Sequence, residues 1–179
     1  MPFAKPMLAV PALLVAAAVA AQEPVSTARM DDQGVFWSYE AGITRPSEPG
    51  YLRLSATIEA PGPSQDAIIQ LSCAAGTGRQ VRLILPGWRF VVGAPHRLEA
   101  RLDLEEPFEV VAVGELGMDG AAIVDPERGS AELIRGLLFA RERIVLRGPD
   151  GPEIAFPMGT ERPEADEAMQ RCEALLSGR

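Results

Sequence analysis

Residues Tyr51–Glu59 read YLRLSATIE, and this stretch decides the fold class. Its apolar residues alternate one by one with polar residues, which is the period of a β-strand with one buried face and one face in water. Residues 97–104 (RLEARLDL) repeat the alternation, with Leu104 as the last residue on the apolar face. Two such strands predict an antiparallel sheet that covers a core with one of its faces.

Shorter apolar segments surround these two stretches and are separated by turns rich in Pro and Gly. We predict further strands at residues 35–40, 67–73, 80–85, 108–113, 143–147 and 153–157. Strands at this spacing are typical of an antiparallel β-sandwich or meander. The segment 108–113 is apolar at most positions, so we expect it to be covered on both faces. Residues 21–34, which precede the first predicted strand, read as a polar leader.

The last third of the sequence predicts two short helices. Ser130 is expected to cap the first helix, of about ten residues, which carries Glu132 near its start. The second is predicted from about Pro163 to Ser177, with Pro163 in its first turn. Its apolar stripe predicts that it docks on the open face of the sheet. That stripe comprises Ala165, Ala168, Met169, Cys172, Leu175 and Leu176. The predicted fold is therefore mainly β, an antiparallel β-sandwich or meander with two short helices in one domain over residues 35–179.

The first 20 residues have the organisation of a cleaved bacterial signal peptide. Lys5 precedes an apolar run at 7–19, and Ala18-Val19-Ala20 matches an Ala-x-Ala cleavage site. The run is shorter than the ~20 apolar residues of a spanning helix, although an uncleaved amino-terminal anchor is the alternative. All later cations are Arg and no Asn occurs, a usage typical of a GC-rich bacterium. We expect an exported, periplasmic protein with no membrane span after signal cleavage.

Two cysteines, Cys73 and Cys172, are present in the sequence. Cys73 is in phase with the apolar residues of its strand, and Cys172 lies on the apolar stripe of the closing helix, so both thiols are expected to face the core. The periplasm is oxidising, and disulfides persist there. We predict a Cys73–Cys172 disulfide that holds the closing helix on the sheet; two separate buried thiols are the alternative.

The order of these features resembles the exported proteins associated with type VI secretion that are known as the TagO or VasI family. The similarity covers most of the mature chain and includes Trp37, the 51–59 strand, Leu71-x-Cys73, the 97–103 strand, the helix at 133–138, Phe156-Pro157-Met158-Gly159 and a helix ending in Cys172. Ser72 stands where a basic residue is expected, and Phe108 stands where the family pattern has Trp. The resemblance implies a β-rich fold closed by a disulfide and a place in an envelope or secretion assembly. It transfers no catalytic residue.

Charge and motif content disfavour several classes of function. The formal net charge is -8, and nucleic acid or anionic lipid binds clustered cations instead. No phosphate loop, Gly-rich dinucleotide motif or Cys-x-x-Cys occurs, so no cofactor and no metal are expected. His96 is expected to be a solvated turn residue, and no catalytic residue is assigned. The adjacent acids Asp31-Asp32 and Glu105-Glu106 leave a carboxylate-dependent glycan enzyme of the cell envelope as an alternative.

The segment 85–90 (LPGWRF) is the strongest candidate for a binding surface. Trp88 and Phe90 flank the cation Arg89 beside a Pro-Gly turn, where a large ring is expected to be partly exposed. Aromatic and Arg side chains are enriched at binding hot spots. The alternatives are that Trp88 caps the end of the core, or that an uncovered sheet edge accepts a partner strand. We expect a non-enzymatic binding or accessory protein whose partner is another envelope protein; a small-ligand carrier is a further alternative.

Overall fold

A computed structural model describes residues 25–42, 51–60, 65–74, 76–159 and 162–177. The predicted signal peptide at 1–20 lies outside these residues. The strands in the described part are β1 (Val25–Met30), β2 (Phe36–Gly42), β3 (Tyr51–Glu59), β4 (Asp66–Ala74), β5 (Gly78–Ile84), β6 (Pro95–Leu102), β7 (Phe108–Gly114), β8 (Ala121–Val124), β9 (Arg143–Gly148) and β10 (Gly151–Pro157). The helices are α1 (Ser130–Phe139) and α2 (Pro163–Leu176). Neither of these helices has the length and apolar content of a membrane span.

All ten described strands belong to one antiparallel sheet with the order β1-β2-β3-β4-β5-β8-β7-β6-β9-β10. The first five strands are neighbours in chain order, whereas β8 pairs with β5 and β9 pairs with β6. The mainly β, antiparallel fold class predicted from the alternating segments is confirmed. Strand β1 was not predicted; its residues lie in the polar leader and pair with β2 from Met30 opposite Phe36 onward.

The register of β2, β3 and β4 places their apolar residues on one face. Leu54 of β3 lies opposite Tyr39 of β2 and Leu71 of β4, and all three side chains are fully buried. Helix α2 packs on this face through contacts with β2, β3 and β4, as predicted. Its first turn contains Pro163, as the sequence indicated. Leu176, the last residue of the predicted stripe, is exposed at the end of the helix.

The predicted disulfide between Cys73 of β4 and Cys172 of α2 is present in the structure, with the two Cα atoms 5.7 Å apart. Both residues are fully buried, as their positions on the apolar faces indicated. The bridge joins residues separated by 99 positions, so it closes most of the described chain into one loop. Cross-linking a loop of about 100 residues stabilises a fold by roughly 4.7 kcal/mol in the chain-entropy model.

Helix α1 starts after Gly129 and not at a side-chain cap. Gly129 occupies the N-cap position with φ 98°, and no side chain caps the helix, so the predicted capping role of Ser130 is wrong. A Cβ atom at Gly129 would lie 2.7 Å from Cγ2 of Val110. Close packing against β7 therefore requires Gly at this position, and the left-handed conformation that Gly permits starts the helix.

Strand β6 ends at Leu102, two residues earlier than its alternation predicted. Asp103 has φ 51°, and its carboxylate accepts hydrogen bonds from the backbone N–H groups of Arg141, Glu142 and Arg143. The chain turns at this residue, so Leu104 is 80% exposed and its predicted place on the core face is wrong. Partial burial acts to raise the pKa of Asp103, but the three N–H donors outweigh it and hold that pKa below its usual value.

Arg162 connects the two helices from inside the fold. Its guanidinium donates hydrogen bonds to the carbonyl oxygens of Gly136, Leu137 and Ala140 at the end of α1, and it lies over the ring of Trp37. A cation at the C-terminal end of a helix satisfies free carbonyl groups and stabilises the helix dipole. Burial lowers the pKa of Arg162, and nearby carboxylates oppose that shift.

Candidate functional site

The candidate segment 85–90 leaves strand β5 through a tight turn. Leu85 remains in the ladder because its N–H donates to the carbonyl of Gly120 at 2.8 Å. Gly87 then turns the chain with φ 80°, and the N–H of Trp88 donates back to the carbonyl of Leu85 at 3.1 Å. The turn directs the next five residues across the end of the sheet, past the turn between β9 and β10.

Trp88 lies inside the protein, where only 3% of it is exposed. The expectation that its ring is partly exposed is wrong, and the alternative that it caps the end of the core describes its position. A Cβ atom at Gly151 would lie 2.4 Å from Cγ of the indole, and one at Gly148 would lie 2.8 Å from its far edge. The ring therefore lies flat against two glycines of the β9–β10 turn, and the ring of Phe90 stacks on it at 5.6 Å.

His96 is also buried, with 9% exposed, so the expectation of a solvated turn residue is wrong. Its Nε2 atom accepts a hydrogen bond from the backbone N–H of Val91 at 2.7 Å. Its Nδ1 atom lies 2.9 Å from Oδ2 of Asp150 and is assigned as the protonated nitrogen, because Nε2 already faces a donor. Both ring nitrogens are engaged, so this imidazole is placed to hold the chain and not to take a proton from a substrate.

Two contacts hold one side of the chain segment after Trp88. The N–H of Arg89 donates to the backbone carbonyl of Asp150 at 3.0 Å, and the N–H of Val91 donates to His96. The ring of Phe90 makes an edge contact with the imidazole at a centroid distance of 5.2 Å. Phe90 is therefore half-buried between Trp88 and His96, and Arg89 points into solvent.

A groove of about 840 Å³ lies beside this segment, and we call it the end groove. Residues 87–90 and 92 line one wall, which we call the near wall, and residues 115 and 117–120 line the other, which we call the far wall. Gln65 also lines the groove. The walls meet at one end through the Leu85–Gly120 hydrogen bond and at the other through Gly93, whose N–H donates to Gly114 at 3.0 Å. The end groove is thus an opening between two chain segments that are joined by a backbone hydrogen bond at each of its ends.

Four large apolar side chains are exposed on the two walls of the end groove or directly beside them, and we call them the rim residues. They are Val91 (63% exposed), Val92 (52%), Leu116 (87%) and Met118 (45%). Sequence reasoning selected Trp88, Arg89 and Phe90 but missed the rim residues. The available signal was a pair of valines directly after the aromatic segment and the large apolar residues that flank Gly117 in a turn.

Some charged side chains around the end groove form ion pairs within the described residues, and others do not. Glu115 on the far wall forms an ion pair with Arg82. Arg89 on the near wall is exposed, and its guanidinium has no ion-pair or hydrogen-bond partner in the part of the chain that the structure describes. Asp119 lies on the wall opposite Arg89. The near wall therefore carries a free cation, and the far wall is acidic.

One acid of each adjacent pair considered for catalysis, Asp31 and Glu105, is engaged in structural contacts. The pKa of Glu105 is lowered by its hydrogen bond and ion pair with Arg135, whereas a general acid needs a raised pKa. Oδ1 of Asp31 accepts from two backbone N–H groups, and its Oδ2 accepts from the indole N–H of Trp37 at 2.9 Å. Within the described ranges, no three His, Cys, Asp or Glu side chains are grouped to hold a metal ion.

Comparison with known proteins adds no assignment, because no family model, no curated protein and no solved structure matches this chain. The end groove, its rim residues and the contacts that hold them are the features of this chain that bear on its function.

Proposed function

We propose that this chain is an exported, non-enzymatic binding protein of the bacterial periplasm, which holds another envelope protein at the end groove. The observation that carries this proposal is the exposure of the four rim residues around one opening. Large apolar side chains that are clustered in water and surrounded by polar groups mark interaction sites, whereas single exposed ones need no explanation. Burial of four such side chains would supply the apolar centre of an interface.

The wall that carries Val91 and Val92 is anchored to the fold at two points, which supports a role in binding. Trp88 fixes the start of this wall in the core, and His96 holds the N–H of Val91. A surface that is ordered before its partner arrives loses little conformational entropy on association. Trp88 would thus contribute to binding by fixing this wall in place.

Two further observations support the proposed compartment. The first 20 residues are organised as a signal peptide, and the buried Cys73–Cys172 disulfide is of the kind that persists in an oxidising compartment. The resemblance to exported proteins associated with type VI secretion favours an envelope or secretion assembly as the setting.

The geometry favours a protein partner over a small ligand. A small ligand inside the end groove would leave Val91 and Leu116 in water, because these side chains are exposed outside its lining. A protein surface would cover both the opening and its rim. The engaged nitrogens of His96 and the lowered pKa of Glu105 also give no support to the alternative of a carboxylate or histidine enzyme.

The proposal is tested by retention of a partner on the immobilised protein. Leu116→Asp places a charge on the rim, and Leu104→Asp is the matched control because Leu104 is also mostly exposed, on the β6–β7 turn outside the end groove. We expect a periplasmic extract of the same bacterium to yield one protein that is retained by the wild type and by Leu104→Asp and is lost with Leu116→Asp. Equal retention by both variants, or no retained protein, would refute the proposal.

A further inference from the structure

The wall formed by residues 88–92 has one hydrogen-bonded edge and one open edge. The N–H groups of Arg89 and Val91 point towards Asp150 and His96. Trp88 and Phe90 stack on each other two residues apart, which places their side chains on one side, as in an extended chain. Val92 forms an isolated parallel bridge with Gly114, in which the N–H of Gly93 is the donor, so the N–H of Val92 is not spent on that bridge. The N–H groups of Phe90 and Val92 alternate along the chain with the engaged N–H groups of Arg89 and Val91.

These two N–H groups have no hydrogen-bond partner among the residues that the structure describes. Phe90 and Val92 both line the end groove. Unpaired N–H groups in alternate positions are the pattern that a β-strand presents at a sheet edge, and a second strand pairs with it through carbonyls two residues apart. A bound strand of four to five residues, each rising about 3.3 Å, would match the five residues 88–92 in length.

The charged residues of the end groove favour a bound strand that carries an acidic side chain. The exposed guanidinium of Arg89 on the near wall has no hydrogen-bond or ion-pair partner among the described residues, and Asp119 lies on the far wall. An acidic side chain of a bound strand would be attracted to Arg89 and repelled by Asp119. It would therefore lie on the Arg89 side of the groove. Met118 offers an apolar contact to the neighbouring residues of such a strand. A second copy of this chain is disfavoured as the occupant by a net charge of -8.

We infer that the partner of the proposed function binds as an extended peptide strand added to the open edge of residues 88–92, with apolar residues in the end groove and an acidic side chain opposite Arg89. Strand addition draws its affinity from main-chain hydrogen bonds and its selectivity from the side chains on the groove side. The inference rests on the proposed binding function and specifies how the partner is recognised.

The probe is a displayed library of random nine-residue peptides, selected on the full disulfide-bonded protein. We expect the enriched peptides to carry an acidic residue flanked by apolar ones and to lack proline at the paired positions. Arg89→Glu should weaken an enriched peptide by about fivefold or more, since an attractive exposed pair becomes a repulsive one. Arg141→Glu, which changes an exposed Arg outside the end groove, should not weaken it.

Amide hydrogen exchange then tests the strand directly. Saturation with an enriched peptide should slow exchange of the Phe90 and Val92 N–H groups at least tenfold, because each gains a carbonyl partner. No enrichment, or enriched peptides that leave these two amides unprotected, would overturn the inference. The proposed function would still stand if Leu116→Asp abolished partner retention, so the failure of the binding mode and the failure of the function are distinguishable.

Discussion

The buried imidazole of His96 accepts a hydrogen bond from the backbone N–H of Val91 at 2.7 Å. The contact joins a residue inside the fold to one whose side chain is mostly in water. His96 is held in turn by Asp150 on the β9–β10 turn. Three separate parts of the chain therefore fix the near wall of the end groove.

Replacement of His96 by Ala should lower the free energy of unfolding by about 2 to 3 kcal/mol, because Val91 loses an acceptor and the ring contact with Phe90 is removed. His96→Phe is the informative comparison, because it restores an aromatic ring but no acceptor. Hydrogen exchange at the Val91 amide should accelerate in both variants. Unchanged protection of that amide in His96→Phe would show that the hydrogen bond does not hold the wall.

Trp88 and Arg89 are neighbours, but their replacement should change stability by very different amounts. Trp88→Ala should lower the free energy of unfolding by about 3 to 5 kcal/mol, since a fully packed aromatic ring leaves a cavity against Gly148 and Gly151. Arg89→Glu should change it by less than about 0.5 kcal/mol, because the side chain is exposed and forms no hydrogen bond or ion pair with the described residues. Denaturant unfolding of the two variants measures both values. A Trp88→Ala protein as stable as the wild type would contradict the placement of the indole.

The Cys73–Cys172 bridge should make a large contribution to stability. Cys172→Ser should remove up to about 4.7 kcal/mol, which is the loop-entropy value for a bridge of this span. Proteolysis should then cut α2 before the sheet, because the helix would be held by its apolar contacts alone. Intact mass after alkylation without reductant is the control on the wild type. Two alkylated thiols in protein taken from the periplasm would show that no bridge forms.

Acid should weaken the turn that Asp103 organises. Its pKa is depressed in the folded state, so its stabilisation is fully present above the unfolded pKa near 4 and is lost as the pH falls through the lower folded pKa. Asp103→Asn keeps a residue that tolerates the positive φ but removes the charge. We expect this variant to be about 1 to 3 kcal/mol less stable at pH 7 and the difference to shrink towards pH 2. A difference that is constant with pH would contradict the role of the carboxylate charge.

The parts of the fold that follow local periodicity could be predicted from the sequence. Strand β3 alternates cleanly, and the apolar phases of Cys73 and Cys172 led directly to their disulfide. Strand β1 could not be predicted in this way, because it is stabilised by pairing with β2 and not by an apolar face of its own.

The candidate site was only partly predictable, because its contacts are long-range. The burial of Trp88 depends on Gly148 and Gly151, which are about sixty residues away in the sequence and leave room for the ring. The role of His96 depends on Asp150, which is 54 positions away. Neither partner is visible in the local pattern around the aromatic segment, so the segment could be selected but the orientation of its rings could not.

The most direct test of the account is site-specific photocrosslinking in the living periplasm. A photoreactive amino acid is placed at Leu116 on the rim and, in a separate strain, at the matched exposed position Leu104. We expect one discrete crosslinked protein from position 116, none from position 104, and a weaker 116 adduct when Arg89→Glu is added. Equal adducts from the two positions, or none from position 116, would contradict the claim that the end groove binds a partner.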